Sequence, residues 1–389
     1  MNFANFRHHL HSIAELSGKE ENSANFIYKF LKSLAPDHLY KNVGGHGVIA
    51  VFEASRKGPV IAFRSELDAL PVAEENNLFY ASVNNGVSHK CGHDGHSTIL
   101  AAFGEYVANS RPLIGKAILL FQPAEETGEG AIAILNDTIY SSLNPDYIFA
   151  LHNLPGFPKN SIITRSGYFA CASHGIIINL QGVESHASEP EKGESPAEMM
   201  AELISELPIL ANPDPLANDY SLCTVTHANL GSYSFGISPG KAQVLITLRA
   251  YTNQNLDELS NRVISLIDKK CNGKNIRVTT EIVEQFPATI NDKEAVRIIE
   301  KAAGITGREL IEVTEPFKWS EDFGHYSKDF TYDESEGLNE SGGVKSALFG
   351  LGSGIDTPNL HNPHYDFPND IIETGVEIYK SIYNSLLNH

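Results

Sequence analysis

KAILLFQPAEETGEG, residues 116–130, sets a near-continuous apolar run against an acidic, glycine-rich turn. Seven residues are too few for a helix, and an apolar run bounded by turn signals is what a central strand buried on both faces requires. Runs of the same kind lie on either side: GVIAVFEA (47–54) and PVIAFRSE (59–66) before it, DYIFAL (146–151) and SALFGLG (346–352) after it. Helical spacing covers 94–107, and a last helix is expected from about Asp370. The first 35 residues read as amphipathic helix, broken at Ser17-Gly18 and stopped by Pro36. Strands alternating with helices predict an α/β sheet covered on both sides.

The pattern changes near residue 173. HGIIINLQG (174–182), SLCTVTHANL (221–230), KAQVLITLRAY (241–251) and IRVTTEIVEQF (276–286) read as strands, and the segments 195–210 and 255–271 as helices. Their order, β-α-β-β-α-β, is the ferredoxin-like split pattern. The chain is therefore expected to hold a discontinuous first domain, 1–172 and 287–389, interrupted by an inserted α+β domain, 173–286.

Composition bounds the function. With 42% hydrophobic and 20% charged residues, the 389-residue chain has the profile of a packed protein of more than one domain. Asp and Glu outnumber Lys and Arg by 48 to 29, a formal charge of −19, which argues against nucleic acid or an anionic membrane as partner. No apolar run is long enough to span a bilayer, and the N-terminus lacks the basic-then-apolar pattern of a signal peptide. Four scattered cysteines are too few for a disulfide scaffold, so a reducing cytoplasm is expected. The 16 histidines are the oddity, because several sit in glycine- and acid-rich loops.

Those loops follow predicted strands, where open α/β sheets place their ligand crevice. SHKCGHDGH (88–96) offers Cys91 and His93 two residues apart around Gly92. Thiolate and imidazole both suit a borderline metal, although a lone cysteine in such a loop is usually structural. In FQPAEETGEG the adjacent Glu125 and Glu126 are expected to point different ways, so that one binds a metal while the other handles protons. His152 ends a strand in ALHNLP, where a lone histidine is more often a core residue. In NLHNPHYDF both His361 and His364 qualify, and WSEDFGHYS adds Glu321, Asp322 and His325. A mixed set of about five Cys, His and Glu ligands suits two adjacent divalent ions better than one, since a single zinc takes about four.

The pieces FRSELDALPV, HKCGHDGHST, FQPAEETGEGA, LHNLP, SHASEP, WSEDF and LHNPHYDF, in this order over nearly the whole chain, resemble a known family. It is that of the two-metal amidohydrolases, which includes aminoacylases, hippurate hydrolases, indoleacetyl-amino acid hydrolases and N-acetyldiaminopimelate deacetylases. The resemblance implies a metallopeptidase-like catalytic domain with an inserted lid domain that mediates homodimerisation. It implies Cys91, His93, Glu126, His152 and His361 as ligands of two divalent ions (zinc, manganese, nickel or cobalt), with Cys91 in place of a bridging aspartate. Glu125 matches the general base, Asp68 an aspartate that orients the site, and Asp94 is a weaker candidate for the same support. In the lid, His186 matches a histidine that donates to the developing oxyanion, often across the dimer, and Arg249 an arginine that pairs with the substrate carboxylate.

Three stretches depart from the family pattern. Gly236, in FGISPGKA, stands where relatives carry an asparagine that helps hold that carboxylate. Ser65-Glu66 replaces Ala-Asp, and Glu191 replaces a second lid histidine. The expected reaction is hydrolysis of the amide of an N-acyl amino acid, and the departures bear on substrate preference. A dipeptidase or aminopeptidase on the same scaffold, or a binding relative without catalysis, are the alternatives.

Overall fold

The computed structural model describes residues 1–327, 332–333, 337–338 and 344–388. The chain forms two compact units. The first comprises Met1–Phe169, Thr289–Thr314 and Glu321–His389, and the second comprises Ala170–Ala288 and Glu315–Ser320. The inserted unit thus takes up six residues, 315–320, that lie beyond the single stretch expected from the sequence.

The first unit is built on an eight-stranded sheet. Its spatial order is His38–Val43, Gly47–Glu53, Lys116–Gln122, Val60–Glu66, Tyr147–Pro155, Lys345–Gly354, Ile162–Thr164 and Leu310–Glu312. The four middle strands, from Lys116–Gln122 to Lys345–Gly354, run parallel. Along Lys116–Gln122 every residue after the first is buried. Successive side chains point to opposite faces, so uniform burial means that both faces are covered. An antiparallel hairpin closes one edge. Phe63, Phe103, Phe149, Phe349 and Tyr379 form a chain of ring contacts between sheet and helices, with centroids 4.6–6.0 Å apart. The N-terminal segment forms two helices, Phe3–Ser12 and Glu21–Ser33, and the C-terminus a third, Ile372–Leu387.

The second unit has a four-stranded antiparallel sheet in the order Ser221–Leu230, Lys241–Ala250, Ala172–Gln181, Arg277–Phe286. In chain order this is 2-3-1-4, the arrangement of a β-α-β-β-α-β unit. After the exposed Lys241, buried and half-buried residues alternate along Lys241–Ala250, as on a sheet with one packed face. The helix Asn253–Cys271 supplies Leu256, Leu259, Val263 and Ile267 to the core, a spacing of three or four residues that keeps them on one face. A small two-stranded antiparallel ribbon pairs Ser185–His186 with Ile237–Ser238. Among the described residues no helix is long and apolar enough to cross a membrane.

Candidate metal centre

Because the four middle strands are parallel, their C-terminal ends lie along one edge of the sheet, and the chain leaves each of them carrying a polar side chain. Val60–Glu66 leads to Asp68. Lys116–Gln122 leads to Glu125 and Glu126 through Ala124, whose backbone is left-handed (φ 52°). Tyr147–Pro155 carries His152, and it continues three residues past that histidine. Lys345–Gly354 leads to His361, also left-handed (φ 65°). The fifth contributor, loop 88–92, does not follow a strand directly but runs into the helix His93–Asn109. Gly92, at φ 97°, makes that turn, and a Cβ there would lie 2.3 Å from Asn153 Oδ1. Only glycine fits between Cys91 and His93.

The sulfur and nitrogen donors converge. Cys91 Sγ is 3.5 Å from His152 Nε2. His93 Nε2 is 3.8 Å from both Glu125 Oε2 and Glu126 Oε1, and His361 Nε2 is 3.8 Å from Glu126 Oε2. Two groups of three donors, each within 4.8 Å of one another, result: Cys91 with His93 and His152, and Cys91 with Glu126 and His361. Cys91 belongs to both. The rings are aimed by their far nitrogens. His93 Nδ1 donates to the Asp68 carbonyl at 3.0 Å, with Asp68 Oδ1 at 3.2 Å, and His152 Nδ1 donates to the Asn153 carbonyl at 2.9 Å. A carbonyl only accepts, so each Nδ1 carries a proton, and Nε2 is the nitrogen turned toward Cys91 or the glutamates, free to take a cation in place of a proton.

This donor set fits divalent cations. His93 Nε2 and Glu126 Oε1 are buried without a hydrogen-bond partner, which is costly unless something else satisfies them. Burial, followed by the charges of Glu126 and Glu125, pushes the Cys91 thiol well above its ordinary range. Burial, then Glu321 and Glu126, pushes Glu125 well up, and burial raises Glu126 to about 7 against the pull of His93. Burial alone would lower His93, but its hydrogen bond to Asp68 and the surrounding carboxylates hold it up at about 10. Acids pushed up and an imidazole held up mark a centre of strong negative potential, where a cation gains most. Sulfur, imidazole and carboxylate together suit a borderline ion.

Glu125 and Glu126 do not diverge as expected from the sequence: both face His93 Nε2. They differ in what lies behind them. Glu126 shares its donor group with Cys91 and His361, and its amide donates to Asp68 Oδ2 at 2.9 Å. Glu125 groups both with His93 and Glu126 and with Glu321 and Asp322, but not with Cys91, and it accepts from the Asp322 amide at 3.3 Å. Arg64, fully buried, lies between Glu66, Glu321 (2.9 Å) and Asp322 (2.6 Å). Glu66 in turn holds His96 Nδ1 at 2.7 Å, and His96 Nε2 meets Asn153. Of the two histidines left open in NLHNPHYDF, His361 joins the cluster, while His364 lies at the surface beside Glu75, 3.3 Å away. His325 belongs to none of the donor groups found among the described residues.

A second buried network was not foreseen. Lys90, fully buried, reaches Glu74 Oε1 at 2.7 Å and the Tyr365 carbonyl at 2.8 Å, while its own carbonyl accepts from the His361 amide at 2.8 Å. Tyr365 accepts from Asn153 Nδ2 at 2.6 Å. Lys90 therefore ties the loop of Cys91 to the loop of His361 and, through Tyr365, to the strand of His152. From the first helix, Arg7 and His11 both hold Asp94 Oδ2, at 2.9 and 2.8 Å. The sequence signal was available: Arg7 and His11 are four apart on a helix, with apolar Phe6 and Leu10 beside them.

The remaining candidates lie in the second unit. His186 is exposed, with Nδ1 2.7 Å from Ser188 Oγ. Arg249 Nη1 donates to Ser320 Oγ at 2.8 Å and makes no ion pair among the described residues. Gly236 is exposed, and its carbonyl accepts from the Ala187 amide beside His186 at 3.0 Å. A Cβ at Gly236 would meet nothing within 4 Å, so the fold does not demand glycine there.

A model of the peptidase family M20/M25/M40 matches residues 62–385. The chain is 27% identical over 384 residues to a hippurate hydrolase of Campylobacter jejuni, covering 98% of this chain and 95% of that one. It is 28% identical over 330 residues to an N-acetyldiaminopimelate deacetylase of Priestia megaterium, covering 84% and 87%. Its fold matches that of a dinuclear metal-binding peptidase of the M20 family from Bacillus subtilis with a TM-score of 0.79, at 22% identity and over 99% and 97% of the two chains.

Proposed function

Starting from a chain that belongs to peptidase family M20/M25/M40 and is a metal-dependent amidohydrolase, we propose that it hydrolyses N-acyl amino acids to a carboxylic acid and a free amino acid. The observation that carries the reading is the pair of donor groups sharing Cys91, with Glu125 set beside them and outside both. Cys91, His93 and His152 would hold one divalent ion and Cys91, Glu126 and His361 the other. When bound, such ions supply Lewis acidity that makes water a nucleophile near neutral pH and polarises the amide carbonyl.

The chain's own residues do the rest. Glu125 takes the proton of the attacking water at a carboxylate oxygen and returns it to the leaving amine nitrogen. The crowding of Glu321 and Asp322 behind it favours a carboxylate that readily holds a proton. Asp68 fixes the His93 ring and the Glu126 backbone, so that both present their donors without rearrangement. His186 donates to the oxyanion that develops on the former carbonyl oxygen. Arg249 takes the substrate carboxylate through the part of its fork that Ser320 leaves open. On this reading the protein works as a homodimer joined through the inserted unit, with His186 serving the partner's site. Its four free cysteines suit a reducing cytoplasm.

The test is a steady-state panel of N-acetyl and N-benzoyl amino acids against dipeptides, with bound metal measured in parallel. Turnover of the N-acyl compounds, lost with a chelator and regained with added metal, is expected. Dipeptides turned over faster than every N-acyl amino acid would replace this reading with a peptidase.

A further inference from the structure

We propose that Lys318 pairs with Arg249 in a two-cation subsite that selects substrates with two carboxylates, that is, N-acylated acidic amino acids such as N-acyl glutamate. The proposal rests on the N-acyl amino acid reading above and narrows it.

The second unit holds two neighbouring cations that no acid among the described residues neutralises. Arg249, half-buried at the end of Lys241–Ala250, spends Nη1 on Ser320 Oγ at 2.8 Å and on the Lys318 carbonyl at 3.3 Å. It forms no ion pair among the described residues, and neither does Lys318. The Lys318 ammonium lies 5.3 Å from the centre of the Tyr220 ring. Lys318 is exposed and Arg249 half-buried, so an anion reaching the guanidinium also meets the ammonium. The buried cations Arg7, Arg64 and Lys90 of the first unit are each in contact with a carboxylate.

The segment that carries Lys318 is fixed in place. The Cys171 amide donates to the carbonyls of Phe317 at 3.0 Å and Trp319 at 3.1 Å, on either side of Lys318. The Phe317 and Trp319 rings stack at 5.1 Å, and Tyr220, fully buried, stacks on Tyr251 at 4.3 Å beneath the lysine. The Tyr220 hydroxyl is buried without a partner. A held backbone and an aromatic floor limit where the ammonium can go, so little order has to be imposed when an anion arrives.

The two cations differ in kind. A guanidinium fork takes one carboxylate in two parallel hydrogen bonds, whereas an ammonium is a point charge on a flexible stem. A neutral amino acid has one carboxylate and leaves one cation unused. Glutamate or aspartate has two, separated by its own side chain, and satisfies both.

Two measurements test this. The first is calorimetric binding of N-acetyl-L-glutamate and N-acetyl-L-glutamine to metal-loaded Glu125→Gln protein, with and without Lys318→Gln. The second is kcat/KM for both compounds on the otherwise native enzyme and on Lys318→Gln. N-acetylglutamate is expected to be preferred by about tenfold in both, the scale of one charge-assisted hydrogen bond. The preference should shrink as salt is raised. Lys318→Gln should remove it by weakening the glutamate compound while leaving the glutamine compound unchanged, which also shows that the variant is folded. An enzyme that binds or cleaves the glutamine compound equally well, or a Lys318→Gln enzyme that keeps the preference, would overturn the proposal. If neither compound is cleaved, the hydrolase reading falls, and the binding comparison still decides the fate of the cation pair.

Discussion

His11→Gln is a sharp test of the network behind the metal centre. His11 is fully buried on the first helix, with Nδ1 2.8 Å from Asp94 Oδ2 and Nε2 2.9 Å from Glu74 Oε1. Carboxylate oxygens only accept, so both ring nitrogens need a proton and the ring is an imidazolium. Burial opposes that charge, but the hydrogen bonds to Asp94 and Glu74 outweigh it and raise His11 from 6.5 to about 9. The native state therefore holds the proton more tightly than the unfolded chain. Its contribution to stability is complete below pH 6.5 and is lost as pH rises through about 9. At 1.36 kcal/mol for each pH unit between those values, the contribution is about 3 kcal/mol. The same contacts, seen from the other side, hold Glu74 down at about 2 despite its burial, so they are not a second contribution. The assay is denaturant unfolding of metal-loaded native and variant protein, followed by far-ultraviolet circular dichroism. The only tryptophan, Trp319, belongs to the other unit and would report the wrong transition. The stability gap between native and variant should be widest near pH 6 and narrow by about 3 kcal/mol toward pH 10. A gap that is the same at both ends would refute the buried imidazolium.

Glu125→Gln should keep its metal but lose about 10²–10⁴ in turnover, because an amide cannot accept the water proton; a variant with half the native rate would remove Glu125 as base. Cys91→Ala should lose metal from both donor groups at once, read as metal content after dialysis; full occupancy of both positions would show that the sulfur is not shared. Lys90→Met should weaken metal retention about 10–100-fold in a chelator competition, as loss of outer support typically does, and Lys90→Arg should restore part of it; unchanged retention in the Met variant would make the buried ammonium merely structural. Mixing Glu125→Gln with His186→Ala subunits should return up to about half of native activity per mixed dimer if His186 serves the partner's site; proven subunit exchange without recovery would place His186 outside catalysis.

The sequence made the central strands legible because burial on both faces leaves unbroken apolar runs. KAILLFQ and PVIAFRSE were read to within a residue of their observed ends. It hid the edges. HLYKNV, the His38–Val43 strand, is mostly half-exposed and has no run to see, and Ile162–Thr164, Thr289–Asn291 and Leu310–Glu312 are three residues each. Such strands are made by their neighbours rather than by a local pattern. The same holds at the site. The clusters that carry Cys91, Glu126, His152 and His361 stand out because polar residues interrupt apolar surroundings. Lys90 did not stand out, since nothing local marks a lysine whose partners, Glu74 and Tyr365, lie 16 and 275 residues away. Residues 315–320 looked like part of the first domain because chain order alone cannot reveal that Cys171 and Arg249 hold them.

The distribution of cations in the first unit explains why the centre calls for divalent ions. Among the described residues its interior holds three buried lysine or arginine side chains, and each is committed. Arg64 is spent on Glu66, Glu321 and Asp322, Arg7 on Asp94 and Asp366, and Lys90 on Glu74. The acids they neutralise are those that aim or back the ligands. Glu125 and Glu126 are left with no lysine or arginine at ion-pair distance among the described residues, only His93 and His361. A further lysine or arginine there would satisfy the two glutamates and remove the need for metal. A buried carboxylate without a counter-charge is costly. The protein avoids that cost for the supporting shell with its own cations and leaves it standing at the centre, where binding an ion repays it. Removing Arg64 should therefore disturb Glu66 and Asp322 before it touches any ligand, and metal affinity should fall because the frame is lost while every donor remains.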